Sequence, residues 1–201
     1  MGAHVAGRRR LLALVAVVSA ALSGSVAVAG AAHAGTPPLA GGVSIDVGGD
    51  GGDGFVADSY GTGGIPDTIP AGKPSVPNFT ATVGHPIPAG IWHTSRFTDS
   101  AYTVPGLTPG AAYQVRLYFL DWYWIGAGKR AFDVDLDGTR VLTDFDISGT
   151  AIRHGADGPA AFGVEQDFPL TVGADGTATV SFTRGSADQP QINAIVITPV
   201  R

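Results

Sequence analysis

The sequence has 201 residues, with 17 acidic and 12 basic side chains, 44% hydrophobic residues and no cysteine. The absence of cysteine excludes disulfide bonds, thiolate nucleophiles, Cys-ligated zinc and iron–sulfur clusters. Glycine and proline are frequent, at 30 and 14 residues, and the hydrophobic content is too high for a disordered chain. The composition therefore indicates one globular domain with many turns, which favours an all-β fold.

The first 34 residues have the pattern of an export signal. Three arginines at positions 8–10 precede an uncharged apolar run over residues 11–29, and the Ala-His-Ala sequence ending at Ala34 suits a signal peptidase. We therefore predict a signal peptide over residues 1–34 and a secreted protein that keeps no membrane attachment after cleavage. A retained membrane anchor is the alternative, because the apolar run is long enough to span a bilayer.

The charge of the remaining chain argues against polyanionic partners. Residues 1–34 hold three arginines and no acidic residue, so their removal leaves nine basic and 17 acidic side chains and a net charge of −8. Nucleic acids and anionic membranes are bound by clustered lysine and arginine. The chain has only two lysines, and we predict no nucleic-acid partner.

The mature region begins with irregular sequence. Residues 35–42 have the composition of a linker, and residues 43–47 alternate as a strand does. A turn rich in glycine and aspartate follows. Residues 61–88 are rich in proline and glycine and lack sustained periodicity, which predicts a long surface excursion with at most short strands.

Further along the chain, apolar and polar residues alternate in short segments separated by Gly and Pro turns. The predicted strands cover residues 91–97, 101–104, 112–123, 132–136, 140–145, 168–172, 178–182 and 192–198. No segment shows a convincing helical period. This spacing of strands predicts an all-β fold, a β-sandwich of jelly-roll type.

One motif has the residue spacing of a calcium site. Asp133, Asp135, Asp137 and Asp144 have the carboxylate spacing of an EF-hand loop. The intervening apolar residues instead fit the buried face of a strand, and Arg140 would place a cation inside the loop. We interpret the motif as a solvated strand face that ends in an Asp-Gly turn, and we predict no metal site and no cofactor.

The sequence has few motifs that indicate catalysis. His85, His93 and His154 have no partner at metal-ligand spacing, and the Gly-x-Ser-x-Gly elbow is absent. A structural calcium at the acidic turn over residues 46–53 stays open. Glycoside hydrolysis, which needs one protonated and one ionised carboxyl group, is an alternative that would use two of Asp121, Glu165, Asp167 and Asp188. We predict that the protein is not an enzyme.

Aromatic residues give the clearest functional signal. Trp122, Tyr123 and Trp124 end the strongest predicted strand, and successive strand residues point to opposite faces, so all three cannot be buried. Trp92 and Tyr60 are further rings next to loops. The rings either cap the core or present flat faces to a sugar, which has an apolar C–H face and a rim of hydroxyl groups.

Several blocks, in order and spacing, resemble the malectin and malectin-like carbohydrate-binding modules. These blocks are residues 45–49, 57–61, 92–97, 102–107, 113–119, 128–134, 141–146 and 185–195. The resemblance implies a galactose-binding-like jelly roll over residues 43–201 and a lectin function without catalysis. In that family four aromatic residues and an aspartate on loops bind the sugar.

By motif, the resemblance places the carbohydrate-binding residues at Tyr60, Trp92, Tyr123, Trp124 and Asp188. Tryptophan stands at positions 92 and 124 where malectin has smaller rings, and an aspartate at 121 replaces the usual glutamate. The resemblance implies an oligosaccharide or polysaccharide partner, with an α-linked gluco-oligosaccharide as the candidate. The alternative is an extracellular module on the same fold that binds a protein or peptide.

Overall fold

The computed structural model describes residues 39–157 and 161–201, and the predicted signal peptide and the first part of the predicted linker lie outside them. The strands are β1 (Val43–Asp46), β2 (Gly61–Thr68), β3 (Phe79–Thr82), β4 (Thr94–Val104), β5 (Ala112–Asp121), β6 (Ala131–Leu136), β7 (Thr139–Phe145), β8 (Phe162–Thr171), β9 (Ala178–Ala187), β10 (Gln191–Ile192) and β11 (Ala194–Pro199). A 3-10 helix (Ala89–His93) precedes β4, and the α-helix α1 (Ile147–Arg153) follows β7.

The strands form two sheets. One has the order β1-β11-β5-β8-β3, and the other has the order β10-β4-β9-β6-β7 with β2 also paired to β4. The β3–β8 pair is parallel, and the other pairs are antiparallel. The prediction of an all-β jelly-roll sandwich is confirmed.

Strand β5 supplies side chains to two hydrophobic clusters. Leu117 and Phe119 point into the main core between the sheets, whereas Tyr118 and Leu120 point to the outer face of the five-stranded sheet. All four are at most 1% exposed. Burial on both faces of a central strand requires a covering layer outside the sheet.

The 3-10 helix and its flanking segment contribute to that layer. Ile91 and Trp92 pack with Tyr118 and Leu120 in the second cluster, and the Trp92 ring meets Tyr118 edge to face at a centroid distance of 5.9 Å. Ile69, in the segment predicted as a surface excursion, is 2% exposed and belongs to the same cluster. This arrangement buries the Trp92 side chain.

Three differences between the structure and the predicted elements have a local physical explanation. Residues 61–68 form the eight-residue strand β2, which pairs with β4 despite its glycines and proline. The two strands predicted over residues 91–104 are one strand, β4, which begins only at Thr94 because residues 91–93 belong to the 3-10 helix. Thr98, within this strand, has a left-handed φ of 72°. A left-handed residue breaks the period-two pattern, which explains why the sequence suggests two strands.

The third difference is α1, which sequence periodicity did not reveal. The helix has seven residues, too few to display a period of 3.6. Its N-cap, Asp146, accepts a hydrogen bond from the Gly149 amide at 2.9 Å. A capping carboxylate of this kind stabilises the first turn of a helix.

The EF-hand-like aspartates lie on the β6–β7 hairpin. The turn residues Asp137 and Gly138 have φ values of 47° and 74°, as a tight hairpin turn requires. Arg140 pairs with Asp135 at 2.7 Å and also contacts Asp133. The interpretation of this motif as a strand face ending in an Asp-Gly turn is confirmed.

Candidate functional site

An open cavity of about 410 Å³ lies beside the end of β5 and the segment between β9 and β10. Its lining residues are Asp67, Phe97, Trp122, Tyr123, Trp124, Arg130, Asp188 and Gln191. We call this cavity the aromatic cleft. Four of its eight lining residues carry aromatic rings, so its walls are largely flat and apolar.

A single aspartate turns the chain at the end of β5. The Asp121 carboxylate oxygen Oδ1 accepts hydrogen bonds from the backbone amides of Tyr123, at 3.0 Å, and Trp124, at 2.9 Å. An aspartate that binds amides two and three residues further on stabilises a turn in place of a continued strand. This turn is the local reason why the aromatic residues leave the sheet.

The rings of the cleft are nearly perpendicular to one another. Trp122 and Tyr123 have centroids 5.6 Å apart at 85°, and Tyr123 and Trp124 have centroids 4.8 Å apart at 86°. Edge-to-face contacts of this kind are favourable for aromatic pairs. Tyr123 is 60% exposed, so a ring face is open to a ligand without any movement of the core.

Asp188, one of the two acidic residues of the cleft, is held by two donors. The Trp124 indole Nε1 donates to Asp188 Oδ2 at 2.5 Å, and Arg130 Nη2 lies 3.3 Å from the same oxygen. Among the described residues no donor is bonded to Asp188 Oδ1. The aspartate side chain is 27% exposed, so this second oxygen can accept a hydrogen bond from a ligand.

The cleft has an excess of negative charge. Arg130 is the cation of its lining, and it forms a buried ion pair with Asp121 at 2.7 Å. Asp67 and Asp188 are the lining carboxylates, and Asp67 makes no ion pair with any described residue. A ligand that donates hydrogen bonds therefore fits the cleft better than an anionic one.

The structure brings together three of the five residues predicted from the resemblance. Tyr123, Trp124 and Asp188 line the aromatic cleft together. Trp92 is 3% exposed, packs in the second core cluster and borders a different, apolar cavity of about 190 Å³. Its ring faces are therefore covered in this conformation.

Tyr60 also lies outside the lining of the cleft. Its side chain is half-buried against the main core, and its backbone carbonyl accepts a hydrogen bond from the Thr103 amide at 3.1 Å. Its φ of 66° is left-handed, which marks a turn into β2. The structure thus places Tyr60 at the start of a strand pair.

Sequence reasoning did not identify four residues that line the cleft: Asp67, Phe97, Arg130 and Gln191. Arg130 had a weak signal, since the Lys129-Arg130 pair comes just before the predicted strand at residues 132–136. Asp67 had none, because its segment was interpreted as an irregular excursion. The pairing of β2 with β4 is what brings it to the cleft.

A second charged cluster lies beside β8. His85 Nδ1 is 2.7 Å from Glu165 Oε1 and 3.8 Å from Asp167 Oδ2, and Arg116 Nε is 3.7 Å from an oxygen of each carboxylate. Burial and the neighbouring Glu165 raise the pKa of the Asp167 carboxyl group. The carboxylates considered for hydrolysis are therefore divided between this cluster and the aromatic cleft.

Comparison with known proteins identifies the domain. The sequence pattern of the malectin domain matches residues 52–195, most of the chain. The chain belongs to the malectin domain family. The matched range contains every residue that lines the aromatic cleft. The sequence matches no curated protein at a significant level.

Solved structures with the same fold are malectin-like ectodomains of plant receptors. The ANXUR1 extracellular domain from Arabidopsis thaliana has a TM-score of 0.62 and 18% identity, over 79% of this chain and 48% of that one. The ANX2 ectodomain from Arabidopsis thaliana gives 0.64 and 15%, over 79% and 49%. FER, in a complex of the plant peptide RALF23 with FER and LLG2, gives 0.65 and 14%, over 79% and 48%.

The TM-scores show a shared fold, and at 14–18% identity they show the fold alone. The chain spans about half the length of these solved structures. Among residues 39–157 and 161–201, no helix is long and apolar enough to span a membrane.

Proposed function

We propose that this malectin-family chain is an extracellular, non-catalytic binding module whose ligand occupies the aromatic cleft. The observation that carries the proposal is the grouping of Tyr123, Trp124 and the unoccupied acceptor Asp188 Oδ1 in one open cavity. Its volume, about 410 Å³, is in the range of small-ligand sites. The site offers stacking surface and hydrogen-bond acceptors.

The ligand class that this geometry fits best is a neutral gluco-oligosaccharide. A pyranose would lay its C–H face on the exposed Tyr123 ring, and its hydroxyl groups would donate to Asp188 and Asp67. The resemblance to malectin favours an α-linkage. An open cleft with few polar contacts implies weak affinity, with a Kd on the order of 10 µM to 1 mM.

A peptide is the second candidate ligand. The observation that favours it is the fold shared with FER, which was solved in a complex with the plant peptide RALF23 and LLG2. Exposed rings serve protein partners as well as sugars, and the excess of carboxylates in the cleft would select a peptide with basic residues. Support from the solved structures is stronger for this candidate than for the sugar.

The first experiment screens the purified protein on an array of α- and β-linked glucans and against a displayed peptide library. The test variant is Tyr123→Ala, because a ring that is 60% exposed can be truncated without opening the core. We expect the variant to lose about 1–3 kcal/mol of binding free energy. The matched control is Ile152→Ala, an exposed apolar truncation on α1 outside the cleft.

The outcomes separate the candidates. Glucan binding that disappears in Tyr123→Ala and persists in Ile152→Ala supports the sugar site. Peptide binding with the same pattern, and no glucan binding, supports the second candidate. Unchanged binding in Tyr123→Ala contradicts the assignment of the cleft as the ligand site.

We also propose that residues 1–34 direct export, that residues 35–42 form a linker and that residues 43–201 form the binding domain. Support comes from the apolar run before Ala34 and from the first strand, β1, which begins at Val43. A mass spectrum of the protein recovered from the culture medium should give Gly35 as the first residue. An intact N-terminus in the membrane fraction would instead indicate a retained anchor.

A further inference from the structure

A buried ion pair lies beneath the aromatic cleft and contacts two of the chain segments that form it, the loop after β5 and the segment at Asp188. Asp121 ends β5 and Arg130 directly precedes β6, and their side chains are 1% and 3% exposed. Arg130 Nε donates to Asp121 Oδ2 at 2.7 Å. The two residues therefore clamp the base of the loop that carries the rings.

The other carboxylate oxygen of Asp121 fixes the loop itself. Oδ1 accepts the amides of both Tyr123 and Trp124, at 3.0 and 2.9 Å. One side chain thus binds Arg130 with one oxygen and sets the direction of two ring-bearing residues with the other. Movement of the carboxylate would move both rings.

The other nitrogens of Arg130 reach the second segment of the cleft. Nη1 donates to the Gln189 carbonyl at 2.5 Å, and Nη2 lies 3.3 Å from Asp188 Oδ2. Asp188 has a left-handed φ of 52°, a conformation that a non-glycine residue keeps only when its surroundings hold it there. The Trp124 indole donates to that same Asp188 oxygen and so links the ring-bearing loop to the segment at Asp188.

The chemistry of the pair suits a positioning role. A buried charge is costly unless every polar atom is hydrogen-bonded, and here both Asp121 oxygens and all three Arg130 nitrogens have partners. The guanidinium group is a planar fork with fixed donor directions, which a flexible ammonium group cannot reproduce. The pair therefore specifies geometry as well as charge balance.

We infer that Asp121 and Arg130 are the positioning residues of the aromatic cleft, which hold the Tyr123–Trp124 turn and Asp188 in one fixed arrangement. Their effect on ligand affinity rests on the function proposed above. Their effect on the geometry of the cleft does not, so the two can be tested separately.

The test compares Asp121→Ala and Arg130→Lys with the matched control Asp58→Asn. Asp58 is also part of an ion pair, with Arg96 at 2.5 Å, and also binds a tyrosine hydroxyl, that of Tyr102. The control removes a comparable charged contact that involves neither the loop between β5 and β6 nor Asp188. Arg130→Lys keeps the positive charge beside Asp121 and serves as the test if Asp121→Ala fails to fold.

The readout is an NMR spectrum of amide and indole N–H groups with hydrogen-exchange rates, together with thermal unfolding. The chain has three tryptophans, so the indole region is simple to assign. In Asp121→Ala we expect the amides of Tyr123 and Trp124 to exchange at least about tenfold faster and the Trp124 indole signal to shift. In Arg130→Lys the Trp124 indole signal should shift while that of the buried Trp92 stays in place.

Asp58→Asn should lower the Tm and leave the Trp124 signals unchanged. The inference is overturned if the Trp124 indole signal is unmoved in Arg130→Lys, or if Asp58→Asn moves it as far. Binding of maltose is measured in parallel, with an expected loss of about tenfold in Arg130→Lys. If the signals shift but the unsubstituted protein binds neither glucan nor peptide, the positioning role stands and the proposed function fails.

Discussion

At the scale of single residues, surroundings decide whether an aromatic ring serves the core or a ligand. Trp92 and Tyr123 both come from ring-bearing blocks that resemble a sugar site, yet they are 3% and 60% exposed. A covering layer buries the first, and an Asp121-stabilised turn exposes the second. An aromatic side chain beside a loop is the same sequence signal in both cases.

Trp92→Ala should therefore act on stability. Truncation of a buried tryptophan leaves a cavity, and we expect the free energy of unfolding to fall by about 3–5 kcal/mol, measured by urea denaturation. Tyr123→Ala, with its exposed ring, should cost less than about 1 kcal/mol. A stable Trp92→Ala protein that has lost ligand binding would return Trp92 to the binding site.

Asp144 gives a pH-dependent prediction. Its Oδ1 accepts the Ser186 amide at 2.8 Å, and this hydrogen bond lowers the pKa of the Asp144 carboxyl group below its ordinary value. A carboxyl group with a lowered pKa in the folded state contributes stability above its ordinary pKa, and this contribution is lost as the pH falls through the folded-state value. The ionised form is the one that the fold favours.

We therefore expect Asp144→Asn to lower the Tm at pH 7 and to have a much smaller effect well below pH 3.8, the ordinary pKa. Asparagine tolerates the left-handed φ of 47° at this position, so backbone strain does not enter. Asp157→Asn, at an exposed site, is the control. A Tm difference that is equal at both pH values would contradict the explanation.

At the scale of elements, short polar anchors fix where segments begin and end. Asp146 caps α1 through the Gly149 amide and also accepts the Gly128 amide at 2.5 Å, in the loop between β5 and β6. Asn193 bonds the Leu120 amide and the Trp92 and Thr94 carbonyls, and so joins three segments. These anchors link residues far apart in the sequence.

Asp146→Ala should reduce the free energy of unfolding by about 0.5–2 kcal/mol, since the first turn of α1 loses its cap. Asp146→Asn keeps an acceptor oxygen and should lose less. Chemical denaturation of the two variants measures the difference. Equal losses in both would show that the charge of Asp146 or its second bond, to the Gly128 amide, matters more than the capping bond.

Elements with local sequence signals could be predicted, and elements that depend on tertiary pairing could not. The β6–β7 hairpin was predictable because the alternation of residues 132–136 and the Asp137-Gly138 turn are local signals. Strand β2 was not, because glycine and proline disfavour strands and only its pairing with β4 stabilises it. Helix α1 is too short for its period to appear.

At the scale of the whole molecule, strands distant in the sequence make the central pairings. Strand β11, at the C-terminus, lies between β1 and β5 and pairs with both. A sandwich built from such long-range pairs folds as a unit and slowly. No disulfide bond supports it, since the chain has no cysteine.

Removal of residues 194–201 should therefore abolish folding of the entire sandwich. The deletion leaves β1 without its partner and exposes the apolar faces of both clusters. Far-UV circular dichroism should show loss of the β-sheet signal and of a cooperative thermal transition. Removal of Arg201 alone, an exposed residue, is the control, and a folded protein after the larger deletion would show that the sheets are independent.

The sequence by itself determined the all-β class, the alternating strands, the Asp-Gly turns and the exposure of part of the ring cluster at residues 122–124, because these depend on the order of neighbouring residues. The tertiary structure decided which residues of distant strands lie next to one another. It buried Trp92, moved Tyr60 to a strand edge, and joined Asp67, Arg130 and Asp188 around one cleft. The physical reason is that burial and charge pairing depend on contacts between distant strands, and strand register is fixed only when the whole core closes.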